Sequence, residues 1–209
     1  CSLGQGCSAG ACKSGAPGED GCESLAVNLS ISEIAAYQTV KVPLVEDGAA
    51  VTERSTELVA GRDALVRVFV EPAQGFTARE LSARLFLGNG DETEQLFSES
   101  TLTVNGASTE ESRESTFEFR VDADLIKSDT QFAAEVVECG VANGTAARPR
   151  FPQNGGAELG AVDTGVLRIH IVPLQANGRL PDTSEAGLDI ARRAFLASYP
   201  ISDLELTVG

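Results

Sequence analysis

Five cysteines and a single histidine are the residues of this chain best suited to metal, thiol or nucleophilic chemistry. Cys1, Cys7, Cys12 and Cys22 crowd the first 22 positions among Gly, Ser, Ala and Glu, and Cys139 stands far downstream. Their spacings fit no zinc finger and include no C-x-x-C, so neither a metal site nor a thiol-redox pair is expected from them. His170, the one imidazole, lies in the apolar run VLRIHIVPL. A zinc hydrolase needs ligands that converge and leave a position for water, and a serine or cysteine nucleophile needs a base beside it. One His among scattered carboxylates supplies neither. Asp163-Thr164-Gly165 matches the D-T-G of an acid protease, but it occurs once, where such a mechanism uses two carboxylates. Arg62 and Asp63 form a charged pair at the mouth of a strong strand, which is commonly a surface arrangement. No residue of this chain is therefore expected to be catalytic or to bind metal.

The charge balance narrows the function further. Sixteen basic residues face 31 acidic ones, for a formal net charge of -15. Nucleic-acid binders need a basic patch that displaces counterions from phosphate, so that class is excluded. Adhesion to an anionic membrane surface is disfavoured for the same reason. No D-x-[DN]-x-[DN]-G calcium loop is present, and no apolar run is long enough to span a bilayer. Methionine is absent throughout, so the chain is expected to be a processed or internal piece of a longer one.

The elements that must position these residues are mostly strands. Residues 1–26 read as a Cys/Gly/Ser-rich leader or tether with little to bury. From there to 140 the pattern has period two. Val40, Val42 and Leu44 share a face. Val66, Val68 and Val70 oppose Leu65, Arg67 and Phe69, while Phe117, Phe119 and Val121 form an inward row. Turn signals separate the runs, among them Glu46-Asp47-Gly48, Ala60-Gly61-Arg62 and Asn105-Gly106. The acidic stretch TEESRESTFEF reads as a solvated edge. Six or seven such strands predict an antiparallel β-sandwich over 27–140 that serves as a spacer or binding module, with a closed barrel as the alternative.

Residues 141–163, rich in Gly, Ala, Asn and Pro, read as a linker or long loop. The texture then changes. Leu167, Ile169 and Ile171 line one side of a dense strand, with Arg168, His170 and Val172 on the other. Asp182 and Glu185 are spaced as a helix N-cap and its N3 partner. Leu188, Ala191 and Phe195 make a helical stripe that Pro200 ends, and Leu204, Leu206 and Val208 align on a final strand. Strand, helix, strand over 164–209 predicts the start of an α/β unit with too little core to stand alone.

Cys1-Ser2 before a Gly/Ser-rich tether resembles the mature end of a bacterial lipoprotein, whose first Cys carries the lipid. On that resemblance Cys1 is the candidate lipidation site. Cys7, Cys12, Cys22 and Cys139 then remain for two disulfides, with all three pairings open. An oxidising, extracytoplasmic setting would follow: a cell-envelope lipoprotein or a secreted protein. The segments ISEIAAYQTVKVPL, ELVAGRDALVRVFV, RIHIVPLQANGRLPDTSE and LASYPISDLELTVG resemble the amino-terminal part of secreted bacterial zinc metallopeptidases. In that family an immunoglobulin-like domain precedes a zincin-type catalytic domain. The resemblance implies an immunoglobulin-like fold for 27–140 and a truncated metallopeptidase-like domain over 164–209. It implies no cofactor in this chain, zinc being held by an H-E-x-x-H helix further toward the carboxyl end. The partner implied is that catalytic domain, with a protein or glycan substrate, no nucleic acid, and membrane contact only through a lipid at Cys1. The alternative is an adhesin-like or structural β-sandwich surface protein with no associated enzyme.

Overall fold

A computed structural model describes residues 5–8, 11–14, 24–89, 93–97, 101–138 and 148–209. In chain order the strands are β1 (Gln5–Ser8), β2 (Ala11–Ser14), β3 (Ser24–Leu25), β4 (Leu29–Tyr37), β5 (Lys41–Glu46) and β6 (Ala49–Ala50). They continue with β7 (Leu58–Val59), β8 (Ala64–Pro72), β9 (Arg79–Gly88), β10 (Thr93–Phe97), β11 (Leu102–Val104) and β12 (Phe117–Val121). Next come β13 (Gln131–Glu138), β14 (Arg150–Phe151), β15 (Ala157–Glu158), β16 (Ala161–Val162) and β17 (Val166–Ile171). Helix α1 (Glu185–Ser198) and β18 (Asp203–Val208) complete the chain.

Two antiparallel sheets make a mainly β, sandwich-like body. One runs β12-β8-β4-β5-β6; the other runs β10-β9-β13-β14, with β11 added on β9 and with β3 and β15 on β13. The period-two pattern decides what lies between them. Val66, Val68, Val70, Phe117, Phe119 and Val121 from the first sheet join Leu81, Ala83, Leu85, Leu87, Phe132 and Val136 from the second in one buried cluster. Val42 and Leu44 belong to it as well, but Val40 is exposed, because β5 begins only at Lys41.

Strand β4 shows why alternation alone misreads its register. Leu29 and Ile31 point inward, and so do Ile34 and Ala36, which is out of phase by one residue. A register shift against β8 between Ile31 and Glu33 absorbs that extra residue and returns the apolar set to the core. At the β5–β6 hairpin, Asp47 and Gly48 both take positive φ, 50° and 73°, as a two-residue turn matched to strand twist requires.

The stretch 141–163 behaves differently from a linker over its described part. β14 and β15 pair with β13, and β16 pairs in parallel with β7. Leu159 and Ala161 enter the core, and Phe151 stacks on Phe132 with ring centroids 5.8 Å apart. Arg84, Glu135 and Arg150 lie in one cross-strand row over β9, β13 and β14, on the side away from the core. The Glu135 carboxylate takes an ion pair from each guanidinium, 2.7 Å from Arg84, and both Arg84 and Glu135 are buried.

Of the five cysteines, Cys1, Cys22 and Cys139 lie outside the described residues, while Cys7 and Cys12 occupy paired positions on β1 and β2. No disulfide is found among the described residues, which corrects the expectation of a disulfide-bonded chain. Sheet pairing, apolar burial and buried ion pairs hold the described fold.

Phe119→Ala should cost about 3–5 kcal/mol of unfolding free energy by opening a cavity between the sheets. Glu135→Ala should cost a similar amount, roughly 3–5 kcal/mol, by leaving two guanidinium groups without their shared carboxylate. Urea unfolding followed by circular dichroism would measure both.

Candidate functional site

The densest polar constellation among the described residues sits on the outer side of the five-stranded sheet. Because Val66 and Val68 face the core, Arg67 and Phe69 of β8 must face out. Arg67 is nevertheless only 4% exposed, because residues 105–116 fold across it. Its guanidinium donates to Thr116 Oγ1 at 3.0 Å, to the Glu110 carbonyl at 3.2 Å and to the Ser112 carbonyl at 3.3 Å. It also pairs with the Glu110 carboxylate at 3.2 Å and lies over the Phe69 ring, 4.9 Å from the centroid. The expectation that TEESRESTFEF is merely a solvated edge therefore fails at Glu110 and Glu118. Glu110 joins the Arg67 cluster, and Glu118 lies 3.8 Å from Arg67 and 2.5 Å from Arg113.

Glu110 is the hub. Tyr37 Oη donates to one carboxylate oxygen at 2.7 Å, and Lys41 Nζ lies 2.6 Å from the other. Lys41 also reaches Glu33 at 2.6 Å. Burial and the hydrogen bond to Glu110 push the Tyr37 phenol up to about 12. Burial works against the Lys41 ammonium, but Glu110 and Glu33 outweigh it and hold its pKa above the ordinary value. For Glu110, burial likewise opposes the charge, and the hydrogen bonds from Lys41 and Tyr37 override it to hold the carboxyl below its ordinary value. The Tyr37 phenol and the Lys41 ammonium thus hold their protons more tightly than usual and the Glu110 carboxyl less tightly, as suits an ion-paired cluster. The cluster's chemistry is that of a clamp on the 105–116 loop. A cavity of about 310 Å³ beside it is lined by Ser32, Glu33, Glu46, Asp47, Phe69, Ser108 and Glu110.

The remaining sequence candidates are dispersed. Asp63 accepts from the backbone of Ala123 at 2.9 Å, while Arg62 turns away to the carbonyls of Leu196 and Tyr199, 2.9 Å from the latter. Burial draws the Arg62 guanidinium down from its ordinary pKa. Asp163 accepts from the Gly165 amide at 2.8 Å and from the Ser202 hydroxyl at 3.1 Å, which closes a turn and ties together the starts of β17 and β18. His170 is exposed, and its Nδ1 sits 2.9 Å from Thr207 Oγ1 on the neighbouring strand. Among the described residues no group of three or more His, Cys, Asp or Glu is placed to hold a metal ion.

Strands β17 and β18 pair in parallel from Val166↔Asp203 to Ile171↔Val208, and α1 crosses between them. Leu188, Ala191 and Phe195 form the half-buried side of α1, as its periodicity requires. The N-cap differs from the sequence expectation. Ser184 caps α1 by accepting from Gly187, and Asp182 instead accepts from the Ser184 amide at 2.9 Å. A serine one residue before the helix satisfies an orphan amide that Asp182, further upstream, would miss.

No protein-family model matches this chain, and no curated protein matches it.

Tyr37 gives the cluster a pH signature. Its folded pKa lies above that of an unfolded tyrosine, so its contribution to stability is complete below about pH 10 and is lost as pH rises toward 12. Phenolate absorbance titration should show this tyrosine ionising near pH 12, and Glu110→Gln, which removes the carboxylate, should lower that midpoint.

Proposed function

We propose that this chain is the non-catalytic amino-terminal region of an exported, zinc-dependent peptidase. In this reading the sandwich is an immunoglobulin-like spacer or binding module, and residues 164–209 open a zincin-like α/β domain. The observation that carries it is the contrast in burial between the two parts. The sandwich has a continuous core, whereas Leu204 alone is buried within 164–209, and Val172, Leu174, Leu180 and Ile190 are each more than 60% exposed. Parallel strands belong to sheets covered on both faces, and two of them with one helix cannot cover themselves. Such a unit makes physical sense as the edge of a larger α/β sheet. The net charge of -15 agrees with a solvated protein outside the cytoplasm, tethered to the cell envelope through Cys1 or released. Zinc, the catalytic apparatus and the contact with a protein or glycan substrate are assigned to the peptidase domain that follows.

Sequencing the reading frame downstream of the Gly209 codon tests this directly. An H-E-x-x-H helix in the same frame supports the proposal, and a stop codon or further sandwich repeats overturns it in favour of an adhesin-like surface protein. Peptide hydrolysis by the 209-residue chain should be undetectable with or without added zinc. Zinc-dependent cleavage that His170→Ala abolishes would show that the active centre lies within this chain. Intact-mass measurement of the native protein should find a diacylglyceryl-type mass increase on the Cys1 peptide if the chain is tethered.

A further inference from the structure

Between the sandwich and the strand–helix–strand unit the covalent path is short. β16 ends at Val162, paired with Val59 of β7, and β17 begins at Val166. Among the described residues, Arg62 ties 164–209 back to the sandwich by donating to the Leu196 and Tyr199 carbonyls. We propose that Arg62 is a latch that fixes the orientation of the α/β unit on the end of the sandwich, and that its release frees the unit to pivot at the Val162–Asp163 junction. The inference stands apart from the proposed function, because it concerns contacts within this chain whatever follows it.

Three observations support a built device rather than an incidental contact. The turn that presents Arg62 is locked from several sides. Gln38 donates to the carbonyls of Val59 at 2.8 Å and Arg62 at 3.1 Å and accepts from the Val59 amide at 2.8 Å. The Gly61 amide reaches the Ile126 carbonyl at 2.8 Å, and the Ala60 amide reaches Val162 at 2.8 Å. Gly61 itself takes φ of 73°, which a side-chain-bearing residue would adopt only with strain. The acceptors are also chemically apt. Leu196 and Tyr199 lie at the carboxyl end of α1, where carbonyls lack intrahelical donors and the helix dipole favours a cation. Finally, Asp163, Thr164, Gly165 and Ser202 bond one another and leave the α/β unit internally braced, so it can move as a body.

Hydrogen–deuterium exchange and small-angle scattering on the full chain test the latch. Arg62→Ala should speed amide exchange in the last turn of α1 by about tenfold or more, as loss of charge-assisted hydrogen bonds implies. It should also broaden the scattering-derived distance distribution while leaving β8 and β12 protected. Arg62→Lys, which keeps the charge but not the forked donors, should fall between wild type and Arg62→Ala. Gln38→Ala, which loosens the presenting turn without touching α1, should shift both readouts in the same direction. Unchanged exchange and scattering in Arg62→Ala would overturn the latch. Loss of protection in β8 and β12 would also overturn it, because Arg62 would then be holding the sandwich itself.

Discussion

The inter-sheet contact made by Phe117, Phe119, Phe132 and the valine rows sets every other position in the sandwich. Once Val66, Val68 and Val70 are committed to that core, the pleat sends Arg67 and Phe69 to the other side, and nothing local can reverse them. The same rule places Arg84 outward between Ala83 and Leu85, and Glu135 outward between Ala134 and Val136. Apolar packing thus decides where the charges must be accommodated. Among the described residues, the clusters around the buried Arg67 and Arg84 answer that demand.

The two clusters solve the problem in different ways. Arg84 meets a carboxylate on the next strand, and Arg150 on the strand beyond closes the row, so the solution is built from sheet register. A one-residue slip of β13 would carry Glu135 to the core face and leave both cations without it. Buried ion pairs are weak sources of net stability, but a row of this kind penalises every wrong register. Arg67 draws instead on loop backbone, collecting carbonyls from 109–112 together with the Thr116 hydroxyl. Its partners are largely neutral, so it orders a loop rather than selecting a register. Both arrangements spend binding capacity on holding the fold.

These differences explain what could be read in the sequence. The inward rows on β8 and β12 were legible, because alternation with β-branched and aromatic residues has few other solutions. So was the strand–helix–strand run, whose change of period at Leu188, Ala191 and Phe195 is a local signal. Strand β4 was harder, since its bulge shifts the phase midway and leaves ISEIAAY without clean alternation. Strands β14 to β16 were hidden because each has only two residues, and pairing with β13 and β7, rather than composition, makes them strands. Arg67 stood out as a charge within an apolar run. Its partner Glu110 did not, because nothing local tells a solvated acidic loop from one folded over a buried cation.

Helix α1 shows the same limit at its far end. A helix commonly stops on a glycine in the left-handed conformation, whose amide turns back to cover the last carbonyls. Here the chain runs Ser198-Tyr199-Pro200, and Tyr199 is extended at φ −118° and ψ 141°. Pro200 forbids continuation and supplies no amide, so the usual local cap is unavailable. The Tyr199 amide still reaches Phe195 and the Ile201 amide reaches the Tyr199 carbonyl, whereas the residue four beyond Leu196 is Pro200, which has no amide to offer the Leu196 carbonyl. The Leu196 carbonyl must find its donor elsewhere, and a forked guanidinium can serve it while also reaching the second lone pair of the Tyr199 carbonyl. Arg62 occupies that position because its own turn is pinned by Gln38 and Gly61 more than a hundred residues earlier in the chain. The sequence that ends the helix badly and the sequence that presents the arginine rigidly are thus two halves of one interaction, and each looks unremarkable without the other.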